Sequence, residues 1–170
     1  MSEIEFKRRV PTLEKMDACE FLSSLGPYAV QLIVVDPAYE SLEKHRAKGT
    51  TTRLKHSKSS SNDWFPIFHN DRFASFFKLA YRALAKNSHL YMLCDQETMF
   101  YVVPIAKEAG FTFWKPLIWD KVNMGMGYHY RASYEVILFF EKGKRKLNDL
   151  GIRDVLRVKK LRTDFATEKP

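Results

Sequence analysis

Glycine is sparse in this sequence, cysteine sparser, and no long apolar run occurs. Seven glycines are scattered over 170 residues. None builds a G-x-G-x-x-G turn leading a strand into a helix, so a dinucleotide-type phosphate cradle is excluded. Gly26, Gly110, Gly143 and Gly151 stand alone, and Gly125 and Gly127 fall between two predicted strands. Cys19 and Cys94 are the only cysteines. Each sits in an apolar periodic segment, where a buried free thiol is expected rather than a disulfide or a metal-ligand pair; that usage points to a reducing cytoplasm. No stretch approaches the ~20 apolar residues that span a membrane. The start, Met1-Ser2-Glu3-Ile4-Glu5, does not resemble a signal peptide. A cytoplasmic protein without metal or membrane contact is the expectation.

What is present is a basic, aromatic-rich, globular composition. With 45% hydrophobic and 14% aromatic residues, the chain suits one domain able to bury roughly 70% of its unfolded surface. Lys and Arg number 28 against 20 Asp and Glu, a net charge of +8. Such a balance favours an anionic partner, nucleic acid being the commonest for a soluble basic domain. The cations concentrate twice. Lys44, Arg46, Lys48, Arg53, Lys55 and Lys58 crowd one stretch, and a second run extends from Lys142 through Lys144, Arg145, Lys146, Arg153, Arg157, Lys159 and Lys160 to Arg162. A solvated surface is the plain alternative for either run.

The chain is organised around Gln31-Leu32-Ile33-Val34-Val35-Asp36-Pro37-Ala38-Tyr39. Its apolar run reads as a strand buried on both faces, with polar residues at the carboxyl end, the edge where open α/β sheets bind ligands. Upstream, residues 4–10 read as a short edge strand and residues 17–25 as a short helix with Asp17 near its start. Residues 40–66 lose all periodicity. This Ser/Thr/Lys segment reads as a mobile basic loop that closes over phosphates. Downstream, the spacing predicts a helix over 73–84 capped by Asp71, then a strand over 89–95 ending in an acid. A helix over 97–109 follows, containing Pro104 and closed by Gly110, and then strands over 111–121 and 134–140, the last ended by Gly143. Gly125 and Gly127 suggest close, flexible approach to a ligand.

Asp36-Pro37-Ala38-Tyr39 suits a base that carries an exocyclic amine. A carboxylate accepts from the amine, Pro37 offers a carbonyl with no competing N–H, and Tyr39 presents a face for stacking. An ordinary Asp-Pro turn is the alternative. The tetrapeptide resembles the Asp-Pro-Pro-Tyr motif of amino-methyltransferases that act on DNA, in the group whose catalytic motif precedes the cofactor motif. Other segments resemble that family in the same order. The helix beginning at Asp17 is similar to its Asp-Cys-x-x-x-Leu helix. Trp119-Asp120-Lys121, followed by Arg131 to Glu135, is similar to a Trp-x-Lys strand and an Arg-x-x-x-Glu stretch. Ala166-Thr167-Glu168-Lys169-Pro170 looks like the start of a Pro-Thr-x-Lys-Pro motif. The departures are Ala38 in place of the usual second Pro and the lack of the Gly-rich cofactor motif expected after Pro170.

The resemblance implies an α/β, Rossmann-like methyltransferase fold, a mostly parallel sheet with a terminal antiparallel strand, apparently without its Gly-rich first αβ unit. Residues 1–170 would form a catalytic domain, with the basic loop 40–66 inside it. The implied reaction is methyl transfer from S-adenosylmethionine to the N6 amine of a flipped adenine in double-stranded DNA. Asp36, Pro37 and Tyr39 would be catalytic, while Asp17, Asp36 and Lys169 would face the cofactor. Lys44, Arg46, Lys48, Arg53, Lys55, Lys58, Tyr128 and Arg131 would face DNA. Asp rather than Ser at the first motif position favours adenine N6 over cytosine N4. Methylation of cytosine N4, of RNA or of a protein glutamine stays open, as does a degenerate or non-catalytic DNA-binding partner. These residues alone are expected to form an incomplete cofactor site and to leave the Asp36 strand with an unpaired apolar edge; a homodimer, a partner chain or a longer chain would complete them.

Overall fold

The computed structural model describes residues 11–41, 66–125 and 129–159. The segment 4–10 and most of the basic loop lie outside them. The elements are α1 (Ala18–Ser24), β1 (Val30–Val35), α2 (Phe73–Ala83), β2 (Leu84–Cys94), α3 (Gln96–Glu108), β3 (Thr112–Asp120), β4 (Tyr134–Lys142) and β5 (Val155–Arg157). The sheet order is β1-β2-β4-β3-β5. β1 pairs parallel with β2 and β3 with β5, while β4 runs antiparallel to both of its neighbours. Four described strands therefore share one direction. Among the described strands the reversed one is β4, which lies between β2 and β3.

The predicted spacing of apolar residues explains the core. Phe73, Phe76, Phe77, Ala80 and Ala83 form one stripe of α2, and they pack with Val102 and Ala106 of α3 onto Leu90, Met92, Val136, Leu138 and Phe140 of the sheet. Phe77 is the centre of this packing. Its ring lies 5.3 Å from Phe76, 5.6 Å from Phe140 and 6.0 Å from Phe111, all edge-on, the arrangement that aromatic quadrupoles favour.

α2 runs into β2 with no connecting loop, which leaves its last carbonyls to find partners. Leu84 N–H donates to Ala80 O, and Tyr28 N–H donates to Arg82 O at 3.0 Å. Lys142, only 6% exposed, donates to Tyr81 O and, at 2.6 Å, to Leu84 O. Its ammonium also lies over the rings of Tyr28 and Tyr81, 4.5 and 4.4 Å from their centroids. Burial, then the neighbouring Lys86 charge, lowers its pKa. One cation of the carboxyl-terminal basic run is thus a buried helix cap and not part of a surface patch. The same principle fixes α1. Arg82 Nη2 donates to the carbonyls of Leu22, Ser23 and Leu25 at 2.9, 3.0 and 2.9 Å, satisfying the end of a helix too short to persist alone.

Three expectations are corrected. β1 is not buried on both faces: Ile33 and Val35 pack on the core, while Leu32 and Val34 are 55% and 63% exposed. β1 ends the sheet among the described residues, and no described helix covers its outer face. Asp71 does not cap α2. A 3₁₀ turn over Asn70–Arg72 supplies the first hydrogen bonds, and the helix begins beyond it without a side-chain cap. β2 starts at Leu84 and not at His89. Polar Lys86-Asn87-Ser88 hides its first half, where Asn87 adopts φ 54° and the register with β1 shifts. Opposite Asn87, Gly143 has φ 80°, and a Cβ there would stand 2.5 Å from Asn87 Oδ1, so only glycine fits this turn.

Candidate functional site

The strand directions bring chemistry to one edge. β1 ends just before Asp36, β2 just before Asp95 and β3 just before Lys121, while reversed β4 starts at that edge with Tyr134 and Glu135. Asp36 is exposed, and Pro37, Ala38 and Tyr39 are half-buried. The backbone after β1 is stitched to the chain that re-enters at residue 66. Phe68 N–H donates to Ala38 O at 2.7 Å, and Tyr39 and Phe68 form a parallel bridge. Glu40 Oε1 accepts from Asn70 N–H at 2.8 Å and meets His69 Nδ1 at 3.2 Å. Ser41 Oγ donates to Asp95 Oδ2.

Tyr39 lies in an anionic, partly desolvated setting. Burial first, then the charges of Asp95 and Glu135, raise its phenol pKa well above the ordinary tyrosine value, so it remains a neutral ring bearing its proton. Buried Cys94 is pushed up to about 12, by burial and then by Asp95. An unreactive thiol beneath the site matches the expectation for this cysteine.

Behind Asp36 is a cavity of about 240 Å³ whose lining includes Asp17, Asp36, Pro37, Phe68, Arg72 and Met92. Two residues placed apart in sequence, Asp17 and Asp36, therefore border one space. Asp17 is the cap of α1, accepting from Cys19 N–H at 2.9 Å and Glu20 N–H at 3.3 Å. It also receives Arg72 Nη2 at 2.7 and 2.8 Å, and the guanidinium carbon sits 4.8 Å from the Phe68 ring centroid. Arg72 carries no sequence signal of its own, because its partner is a residue on the other side of the basic loop.

The Arg72 hydrogen bond holds the Asp17 carboxyl below its ordinary value of 3.8, against partial desolvation and with help from the Glu20 and Cys19 amides. A depressed folded-state pKa gives stability that is complete above the ordinary value and is lost as pH falls through the folded one. Arg72→Ala is therefore expected to flatten the loss of stability on acidification between about pH 5 and pH 2. Urea melts across that range check this; an unaltered slope would show that the pair is not formed.

Other predicted residues divide. Arg131 is exposed and its Nε donates to Gly125 O at 2.8 Å, bracing the β3–β4 connection. Gly125 N–H donates to Ala132 O at 2.7 Å, and a Cβ at Gly125 would stand 2.8 Å from the same oxygen. The close approach that the structure shows at Gly125 is to the chain's own backbone. Lys121 forms an ion pair with Glu135 across the two strands. Lys44, Arg46, Lys48, Arg53, Lys55, Lys58, Gly127, Tyr128 and Lys169 lie outside the described residues. Among the described residues there is no cluster suited to a metal ion and no helix long and apolar enough to cross a membrane.

A described sheet whose reversed strand lies at its centre, with helices on the core face and an acid at the carboxyl edge, is the α/β arrangement of the methyltransferase fold. The family model for N6- and N4-type DNA methylases, described as DNA methylase, matches residues 30–169, and the chain belongs to that family. Solved structures agree on the fold. A candidate DNA modification methylase from Thermus thermophilus, complexed with S-adenosyl-L-methionine, is 16% identical with a TM-score of 0.53, covering 82% of this chain and 65% of its own. The M1.HpyAVI complex with SAM is 18% identical with a TM-score of 0.53, covering 88% and 66%. The chain spans between about half and two thirds of the first of these matched structures, from 53% to 66%. No curated protein matches the sequence.

Proposed function

We propose that this chain is the catalytic part of a methyltransferase domain that methylates an exocyclic amine of a DNA base, the N6 of adenine. The observation carrying this reading is that Asp36 and Asp17 border one cavity while Tyr39 is fastened beside them at the carboxyl edge. Family membership supports DNA as substrate, and the acid at the first motif position supports adenine over cytosine. Two relatives of the same fold are solved with S-adenosylmethionine. The cavity suits part of such a ligand: at about 240 Å³ it is smaller than the roughly 300–1,000 Å³ of sites that enclose a whole drug-sized molecule. Its apolar walls and Asp17 fit the adenosine end. Asp17 and Asp36 would hold it, with Lys169 from the carboxyl terminus. When bound, S-adenosylmethionine supplies an already activated methyl group.

The chain's own residues then do the positioning. A base leaves its stack at a cost of a few kcal/mol, offset in part by stacking on the neutral Tyr39 ring. The Asp36 carboxylate and the Pro37 carbonyl accept from the two amine hydrogens, which aims the nitrogen lone pair out of the base plane. Holding that geometry accounts for most of the acceleration. The test is methyl transfer from tritiated cofactor to duplex DNA, RNA and protein in parallel, using the natively expressed protein. Label in DNA alone is expected; label only in RNA or protein would overturn the reading.

The basic loop supplies phosphate contacts in this account. Replacing Arg53, Lys55 and Lys58 with Ala should weaken binding to all DNA sequences alike and reduce the slope of log affinity against log salt by about 0.9 per lost contact. An unchanged slope in fluorescence-anisotropy titrations would place the loop away from DNA.

A further inference from the structure

The motif residues need a fixed frame, since Asp36 follows a strand at the end of the described sheet and is itself exposed. On one side that frame is the Phe68 bridge. Glu40 Oε1, accepting from Asn70 N–H at 2.8 Å, ties that same side, and on the other the frame is the Asp95 carboxylate. Asp95 directly follows β2 and uses its two oxygens for different partners: Oδ1 accepts from Thr98 N–H at 2.8 Å, capping α3, and Oδ2 accepts from Ser41 Oγ at 2.5 Å. Ser41 is 4% exposed and Thr98 is also 4% exposed, so water competes poorly for these bonds. A hydrogen bond to a charged acceptor is among the stronger ones a side chain makes. The carboxylate is anchored to the rigid start of a helix, and through Ser41 it holds the backbone two residues beyond Tyr39.

We propose that Ser41 and Asp95 form a positioning pair that sets the placement of the Asp36–Tyr39 segment over the sheet edge, and so the rate at which a base amine is methylated there. Its bearing on the reaction rests on the function proposed above; the pinning itself does not. Neither residue touches substrate in this account. Ser41 acts through the chain it holds, and Asp95 through Ser41.

The discriminating variant is Ser41→Ala, which removes the grip but leaves Asp95 capping Thr98, with Ser41→Thr as the variant that restores a hydroxyl. Amide hydrogen exchange, read by mass spectrometry or NMR, is expected to quicken about tenfold or more at Ala38, Tyr39 and Glu40 in Ser41→Ala, the scale of a lost bond to a charged group. It should remain unchanged in α3 and return toward wild type in Ser41→Thr. In the natively expressed protein, kcat for methyl transfer to DNA should fall about 10–100-fold in Ser41→Ala, the usual penalty for small misplacement, with KM for the cofactor little changed. Unchanged exchange at residues 38–40 would overturn the pinning whatever the activity. Faster exchange with an unaltered kcat would overturn the positioning role. If the wild-type protein methylates nothing, the function proposed above fails, while the exchange result still decides whether the pair holds the segment.

Discussion

Asp36→Ala is expected to lower methyl transfer to DNA about 10³-fold, roughly 4 kcal/mol in the barrier, in the natively expressed protein. Thermal stability and DNA affinity should stay close to wild type. The size of the effect follows from the role: an aimed carboxylate orients the amine only as it reacts, and no second acid lies in the Asp36–Tyr39 tetrapeptide. The selectivity follows from position, because Asp36 is exposed and lies beyond the last residue of β1 paired with β2. Activity within about tenfold of wild type, a change of about 1.4 kcal/mol, would show that the carboxylate is not central.

Phe77→Ala should have the opposite profile. Phe77 is fully buried and meets the rings of Phe73, Phe76, Phe111 and Phe140. Truncation opens a cavity between α2, which carries Phe73 and Phe76, and the sheet side, which carries Phe111 and Phe140; these cannot close it together, so the cost should be about 3–5 kcal/mol. For a chain of this size that is a fall in Tm of roughly 6–20 °C. Calorimetry checks it; a loss under about 1 kcal/mol would mean that α2 does not pack as described.

How much of this was legible without coordinates depends on whether the relevant bond is local. α1 with its Asp17 cap, α3 with Pro104 inside it, and strands β3 and β4 all emerge from periodicity and end signals, and they occur as expected. The start of β2 was hidden because Asn87 and its neighbours break the alternation at a left-handed residue packed against Gly143. The exposure of Leu32 and Val34 was hidden because a run of Val and Ile looks alike whether one face or two are covered. Asp36 and Tyr39 are singled out by their tetrapeptide together with the segments around it that resemble the family in the same order. Arg72 and Ser41 could not be, since their partners, Asp17 and Asp95, lie 55 and 54 positions away. Lys142 was misleading in the other direction. It belongs to a basic run, yet the carbonyls left by the loop-free passage from α2 to β2 draw it inside.

The most direct test of the central claim is to digest duplex DNA treated with the natively expressed protein and S-adenosylmethionine, then identify the methylated nucleoside by mass spectrometry. The account predicts N6-methyl-2′-deoxyadenosine, formed by the wild type and missing with Asp36→Ala. N4-methyl-2′-deoxycytidine as the product, or equal yields from the two proteins, would contradict it.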